Sequence, residues 1–234
     1  MMENPSPTTS RPVLPLPPPL PSKDESPPEN IRPMTLRHLQ NLPLPLRIAR
    51  TLCSELQRPS TPAEHIRLIT IGPSHYCEKA RWGLDLSGAV YTEDAHPPVL
   101  SAFETLMATG GSSSSAPVAM YRGTAITDST DILVRCCPFL YPPEVSDAAR
   151  SWEKYFDAAL GPSVRLFNYH HYLTPRYSPA LTEMATAHTS RIEAEIYTAT
   201  ADTVGAGIRR AMSIDASSAE RSERAIRSVF GVVS

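Results

Sequence analysis

The sequence predicts an α/β domain with the element order β-α-β-α-β-β-α, followed by an all-α domain. Three observations lead to it: an apolar strand that runs into a capped helix, a two-residue hairpin turn, and helical periodicity alone beyond residue 143. Of the 25 prolines, 15 precede Ile66, which separates a proline-rich extension from the folded part. The predicted segments are the extended or disordered extension, the α/β domain and the all-α domain, at residues 1–65, 66–138 and 144–234.

Bulk composition argues against two classes of partner. The formal net charge of −2 over 234 residues gives no reason to expect nucleic acid or a membrane surface. No apolar run approaches the roughly 20 residues that span a bilayer. The four cysteines show neither zinc-ligand spacing nor a disulfide framework, and vicinal Cys136 and Cys137 are poorly placed to bridge each other. We therefore expect a reducing, cytoplasmic compartment.

The proline-rich extension carries two patterns. Residues Pro18 to Lys23 match the PxxPx(K/R) ligand of polyproline-binding domains, a pattern that proline-rich tails often match by chance. From Met34 the chain holds three arginines and no acidic residue before Glu55. If translation started at Met34, this segment would resemble an organelle transit peptide, and the protein would be imported into an organelle. The alternative is a poorly structured linker with a short amphipathic turn near residues 47–56.

The α/β domain begins with the most informative run of the chain, residues 66–88. Four apolar residues within 66–71 predict a strand buried on both faces, and Gly72-Pro73 breaks it. Ser74 is a good N-cap for a helix that Gly88 ends. Ser74 and Cys77 thus place a hydroxyl and a thiol where backbone N–H groups and the helix dipole stabilise an anion. This helix end can hold a thiolate, either its own or a bound one.

Turn and cap signals predict the remaining elements of this domain. Arg122-Gly123 is a plausible two-residue turn between two short strands, and Asp128-Ser129 caps a helix that ends near Pro138. A second strand, a helical turn and a flexible Gly/Ser stretch precede the hairpin. In chain order, these pieces are the strand 89–93, the helical turn 103–107, the Gly/Ser stretch 110–115, and the hairpin strands 117–121 and 124–127.

Beyond the turn-rich Pro138–Pro143, the pattern is helical throughout. Adjacent His170 and His171 could suggest a metal ion, but neighbouring helical residues point about 100° apart, so we expect no shared metal site. The predicted helices are Asp147–Leu160, Val164–Leu173, Pro179–Ala201 and Ser217–Val229.

Four runs of residues, in order, resemble the glutathione transferase superfamily from about Ile66 to the C-terminus. The run SHYCEKARWGLDLSG, which starts at Ser74, is similar to the family's S/C-x-Y/F-C/S-x-K-x-R active-site helix. Ala116-Pro117-Val118 resembles the family's strand start with a cis proline, and Gly123 to Ser129 resembles its strand that ends in an acid–Ser pair. Residues Trp152 to Arg165, with Tyr169, resemble the first long helix of the C-terminal domain in a plant- and bacterial-like subgroup.

The resemblance implies a thioredoxin-like N-terminal domain, an all-α C-terminal domain, glutathione as co-substrate and no metal. It implies a serine-type enzyme, a homodimer, that joins the glutathione thiolate to small electrophiles. Ser74 would donate its hydroxyl to the glutathione sulfur and lower the thiol pKa, whereas its alternative role is plain N-capping. Ala116, turned by a cis Pro117, would bind the cysteinyl part of glutathione, and Asp128 and Ser129 the γ-glutamyl end.

The resemblance also implies a second-substrate site under the first helix of the all-α domain. Arg165, Tyr169 and Tyr172 are its candidate residues, with core or dimer packing as the alternative role of each. Cys77 is the alternative catalytic residue, as in a thiol transferase or a dehydroascorbate-type reductase. Against this alternative, Ser74 holds the position of the family's nucleophile, and Cys77 fits a small packed residue. His75, in turn, fits an exposed residue of the first helical turn.

The sequence departs from the family pattern at two places. No Lys or Arg occurs between Arg81 and Arg122 to hold the glycyl carboxylate of glutathione. Family members also continue past a helix like Ser217–Val229 into a buried helix, whereas this sequence stops at Ser234, so we expect an incomplete core in the all-α domain. Either dimerisation covers the exposed surface or stability is low. With the proline-rich extension, these departures leave open a non-catalytic, transferase-like interaction module.

Overall fold

A computed structural model describes residues 65–233 of the chain. The predictions made for the extension, namely the Pro18–Lys23 ligand pattern and the Met34 start or linker, lie outside the described residues. Among the helices of the described part, none combines the length and the apolar character that crossing a bilayer requires.

Four strands form one mixed sheet: β1 Ile66–Thr70, β2 Tyr91–Ala95, β3 Val118–Tyr121 and β4 Thr124–Thr127. Their order in the sheet is β2-β1-β3-β4, with β1 parallel to β2 and the other pairs antiparallel. The predicted hairpin is confirmed, and Arg122 and Gly123 form its turn with φ angles of 50° and 77°. The second strand starts two residues later than predicted, because Tyr91 is the register partner of Ile66 and Val90 is 72% exposed.

Three helices pack on this sheet: α1 His75–Ser87, α2 Leu100–Ala108 and α3 Ser129–Cys136. α1 and α3 contact each other, and Leu68 of β1 shares a core cluster with Ala80 and Ile132 of these helices. Ile69 and its register partner Val118 are fully buried, and they point to the opposite face because side chains alternate along a strand. α2 contacts β1 and β3. The predicted strand, buried on both faces, is therefore confirmed.

A helical part follows a short 3-10 helix at Pro138–Leu140. Its helices are α4 Ser146–Ala159, α5 Gly161–Tyr172, α6 Ser178–Thr186, α7 Arg191–Ala211 and α8 Ala216–Val233. α8 packs along α5 and also contacts α4. Leu166 of α5, Ala185 of α6 and Tyr197 of α7 belong to one core cluster, which also includes Ala102 of α2. The core therefore continues from the helical part into the α/β domain.

The prediction of one helix over Pro179–Ala201 is wrong, because α6 ends at Thr186 and α7 begins at Arg191. Ser190 is the N-cap of α7 and forms a capping box with Glu193. The Ser190 hydroxyl oxygen accepts the backbone N–H of Glu193, and the Glu193 carboxylate accepts the backbone N–H of Ser190. Apolar residues continue at helical spacing on both sides of Ser190. Periodicity alone therefore does not reveal the break.

His96, directly after β2, joins the α/β domain to α7. The residue is 3% exposed, and its Nδ1 lies 2.6 Å from Glu193 Oε1 while its Nε2 lies 3.2 Å from Asp94 Oδ1. Arg67 binds the other oxygen of Asp94 at 2.6 Å and Glu104 of α2 at 3.3 Å. Burial lowers the pKa of His96, but Asp94 and Glu193 outweigh it and raise the pKa to about 9. We call this charged contact between Asp94, His96 and Glu193 the His96 bridge.

Replacing His96 by Gln should remove a pH-dependent part of the stability. The pKa of about 9 in the folded state lies above the ordinary value of 6.5, so the bridge contributes fully below pH 6.5 and is lost as the pH rises through 9. By linkage, a shift of this size corresponds to ~3 kcal/mol. Between pH 7 and about pH 10, wild type should therefore lose more free energy of unfolding than His96→Gln, in urea unfolding followed by circular dichroism.

Exposed His188 offers a matched control for this substitution. His188→Gln makes the same chemical change away from the bridge and should keep the pH dependence of wild type. Equal pH dependence in wild type and His96→Gln would contradict the role given to the bridge.

Candidate functional site

Ser74 caps the N-terminus of α1, as the sequence predicted. Its backbone is extended, with φ −86° and ψ 119°, and its Oγ accepts the Cys77 backbone N–H at 3.4 Å. The turn before it lies directly against α6, because a Cβ added at Gly72 would lie 2.5 Å from the Met184 carbonyl oxygen. Gly88, with a φ of 65°, ends the 13-residue helix. The local sequence thus sets the N-terminus of α1, which lies at the junction between the α/β domain and the helical part.

Cys77 is closed off from solvent and does not suit a nucleophile. Its relative exposure is 0%, and its Sγ accepts the backbone N–H of Ile71 at 3.4 Å. Burial raises the pKa of the Cys77 thiol, and the hydrogen bonds with Ser74 and Ile71 offset only part of this. The geometry agrees with the small packed residue of the sequence analysis and speaks against the alternative catalytic role.

His75 differs from its prediction as an exposed residue. It is half-buried, its ring centroid lies 4.2 Å from that of Tyr76, and its Nε2 is shielded from solvent without a hydrogen-bond partner among the described residues. Burial and then the charge of Arg165 lower the pKa of His75, so the imidazole is neutral at pH 7. The reason for the error is tertiary: α5 covers this turn, and Gly161 lies so close to Tyr76 that a side chain there would collide with the ring.

Lys79 connects α1 to the helical part below Ser74. Its Nζ lies 2.7 Å from Glu153 and 3.0 Å from Asp157, both on α4, and it donates to the Thr130 hydroxyl of α3 at 2.9 Å. One ammonium group therefore holds three helices together. Because one cation is paired with two carboxylates, it offsets only part of their negative charge.

Arg81 supports the turn that precedes Ser74. Its guanidinium binds Glu93 at 2.6 Å and Glu78 at 2.7 Å, and it donates to the carbonyl oxygen of Gly72 at 3.1 Å. The guanidinium thus anchors the turn to β2 and to the first turn of α1. Neither Lys79 nor Arg81 was singled out by the sequence analysis, since a Lys or Arg on a helix is ordinary until its partners are known.

Asp128 and Ser129 begin α3 as predicted, but neither lines the cavity described below. The Asp128 carboxylate accepts the backbone N–H of Thr130 at 2.8 Å, and Ser129 is 2% exposed. The Thr130 hydroxyl donates to Asp157 at 3.0 Å. Asp128 is thus an exposed N-cap of α3, and Ser129 is the buried first residue of that helix.

A cavity of about 800 Å³ lies between the N-terminus of α1 and the helical part. It brings together five of the residues predicted from the sequence: Ser74, Ala116, Arg165, Tyr169 and Tyr172. The bond between Ala116 and Pro117 is cis, as predicted, and Pro117 itself is buried behind the wall. The sequence analysis missed further wall residues, among them Ser101, Asn168 and Met184. Asn168 follows Arg165 by three positions on α5, a spacing that could have indicated it.

Arg165 is the one ionised side chain among the described residues that line this cavity. It is half-buried, and its Nε is shielded from solvent and has no hydrogen-bond partner among residues 65–233. Burial raises the pKa of neighbouring Tyr169. With the positive end of the α1 dipole at Ser74, the cavity has a positive electrostatic character.

One cluster of possible metal ligands occurs within the described residues, away from this cavity. Asp94, His96 and Glu104 each offer an atom within 4.8 Å of the others. Arg67 already binds both carboxylates, and His96 is paired with Glu193. Since these cations fill the role that a metal ion would have, we assign no metal to the cluster.

Neither a protein-family model nor a curated protein matches the chain. The fold and the cavity are therefore the basis on which a function is assigned.

Native Cys77 should be unreactive toward Ellman's reagent, because its thiol is buried and its pKa is raised. Cys77→Ala should leave the number of rapidly reacting thiols in the native protein unchanged. In denaturant, the total should fall from the four cysteines of the chain to three. Cys136→Ala, which removes a half-buried thiol, is the matched control and should lower the native count. A lower native count for Cys77→Ala would show that Cys77 is accessible after all.

Proposed function

We propose that the protein is a serine-type glutathione transferase with a thioredoxin-like N-terminal domain. One observation carries the proposal: Ser74, at the N-terminus of a 13-residue helix, lines the same 800 Å³ cavity as Ala116. A hydroxyl and a helix end that face one cavity can stabilise a thiolate by a hydrogen bond and by the helix dipole. The mixed sheet with helices on both faces, followed by a helical part, is compatible with this fold.

The reaction needs little from the protein beyond binding and a lower thiol pKa. The glutathione thiol loses its proton to solvent, and the thiolate forms a C–S bond with an electrophilic carbon. On an aryl chloride, the C–Cl bond breaks and chloride leaves with the electron pair. Ser74 would donate its O–H to the sulfur, and because His75 beside it is neutral, the stabilisation of the thiolate would come from this bond and the helix N-terminus. The aromatic walls formed by Tyr169 and Tyr172 would hold the electrophile.

One observation favours the second function, a non-catalytic interaction module. Ser74 also lines an apolar groove of about 580 Å³ along α1, and Trp82 and Leu86 in the wall of this groove are 66% and 69% exposed. Exposed apolar grooves of this kind are typical of protein-binding surfaces. Calorimetric titration with glutathione separates the two functions, since only the transferase requires glutathione to bind. The proposed transferase is a homodimer, which sedimentation velocity tests independently.

Three substitutions at Ser74 separate catalysis from helix capping. Ser74→Thr keeps the cap and the O–H donor, Ser74→Asp keeps the cap but cannot donate to a thiolate, and Ser74→Ala loses both. Conjugation of glutathione to 1-chloro-2,4-dinitrobenzene should therefore fall about tenfold or more in Ser74→Asp and Ser74→Ala, and far less in Ser74→Thr. Stability should fall by ~1 kcal/mol in Ser74→Ala alone.

A spectroscopic measurement accompanies these rates. The absorbance of bound glutathione near 240 nm reports thiolate, and its titration should move to higher pH in Ser74→Ala than in wild type. Unchanged conjugation and an unchanged thiol titration in Ser74→Asp would remove Ser74 from the proposed mechanism.

A further inference from the structure

Arg165 is the part of the cavity that the chemistry proposed for Ser74 leaves unused. Its Nε lies out of contact with solvent, and within residues 65–233 the guanidinium has neither a hydrogen-bond partner for this atom nor an ion pair. A shielded donor without an acceptor costs free energy, and a charged donor costs more than a neutral one. An acceptor from a bound molecule would remove this cost.

Among the described residues, no carboxylate forms an ion pair with Arg165. Glu153 and Asp157 of α4 are paired with Lys79 instead. No Asp or Glu of the described residues lines the cavity, and the helix N-terminus at Ser74 adds positive potential. The cavity therefore favours an anion over a neutral molecule of the same shape. Beside Arg165 the wall holds Tyr169 and Tyr172 of the same helix, and Leu181 of α6, so that an anion with an aromatic body fits best.

We infer that Arg165 binds the carboxylate of the small molecule that occupies this cavity. A guanidinium offers a planar pair of donors that matches a carboxylate, and such bonds are stronger and more specific than those of a point charge. The inference rests on the proposed function in one respect: it takes the molecule bound in the cavity to be a substrate of the transferase. It then names the substrate class: electrophiles that carry a carboxylate. Glutathione also carries carboxylates, and the experiment distinguishes these two sources.

The matched probes are 4-chloro-3-nitrobenzoate and 4-chloro-3-nitrobenzamide, which differ in charge at one substituent. Their affinities for the full-length protein are measured by calorimetry in the absence of glutathione. Wild type should bind the benzoate about tenfold or more tightly than the benzamide, and Arg165→Met should lose this preference. Arg165→Lys should keep part of it, because the charge remains and the paired donors do not. Arg191→Leu removes a cation whose side chain is 92% exposed, and it should behave as wild type.

Each result decides the inference. A preference that disappears in Arg165→Met, with a melting temperature near that of wild type, supports it. Equal affinity of wild type for both probes, or a preference that survives in Arg165→Met, overturns it. If Arg165→Met melts early, Arg165→Lys decides: a preference several-fold weaker than in wild type supports the inference, and an unchanged one overturns it.

A second titration, with S-methylglutathione, separates the two sources of the carboxylate. If it competes with 4-chloro-3-nitrobenzoate and loses affinity in Arg165→Met, Arg165 binds a carboxylate of glutathione. If both molecules bind together, Arg165 binds the carboxylate of the electrophile. If S-methylglutathione does not bind while the preference for the benzoate remains, the proposed transferase function fails and the assignment of Arg165 stands.

Discussion

The His96 bridge sets the geometry on which the cavity depends. Its ion pair between His96 and Glu193 joins the end of β2 to the first turn of α7, and the His96 backbone N–H donates to the Thr70 carbonyl oxygen at 3.0 Å. At 3% exposure the imidazolium has little competing water, so its attraction to Asp94 and Glu193 is stronger than that of a surface pair. α7 carries Ile208 into the cavity wall. The position of that wall relative to the sheet is therefore fixed by charge as well as by apolar packing.

A second constraint is the pairing of charges around α1. Lys79 forms ion pairs with two carboxylates of α4, and Arg81 forms ion pairs with Glu78 and Glu93. These pairs hold α1 in place, and they offset part of the negative charge near Ser74. Arg165 is left as the ionised group that faces the cavity. The positive character of the cavity therefore comes from Arg165 and the N-terminus of α1, while the contacts that stabilise the helix offset part of the nearby negative charge.

Local signals predicted the fold better than they predicted the site. The cap at Ser74 and the hairpin turn were correct because their signals lie within a few residues. The break at Ser190 was missed because apolar spacing continues across it. The site depends on contacts between distant residues: His96 and Glu193 are separated by 97 positions, and His75 is half-buried because α5 covers it. A pattern within a short stretch of the sequence cannot reveal such contacts.

Capping by Ser74 and the catalytic role proposed for it are compatible because they use different parts of one hydroxyl group. A serine hydroxyl has one O–H donor and two acceptor lone pairs. The cap uses an acceptor, since Oγ receives the Cys77 backbone N–H, at the long distance of 3.4 Å. The O–H donor, whose hydrogen bond lowers the pKa of the Cys77 thiol, can turn to an anion in the cavity, and the bond from the Cys77 backbone makes it slightly more acidic. A thiolate at this position would thus add a hydrogen bond without breaking the one that begins α1.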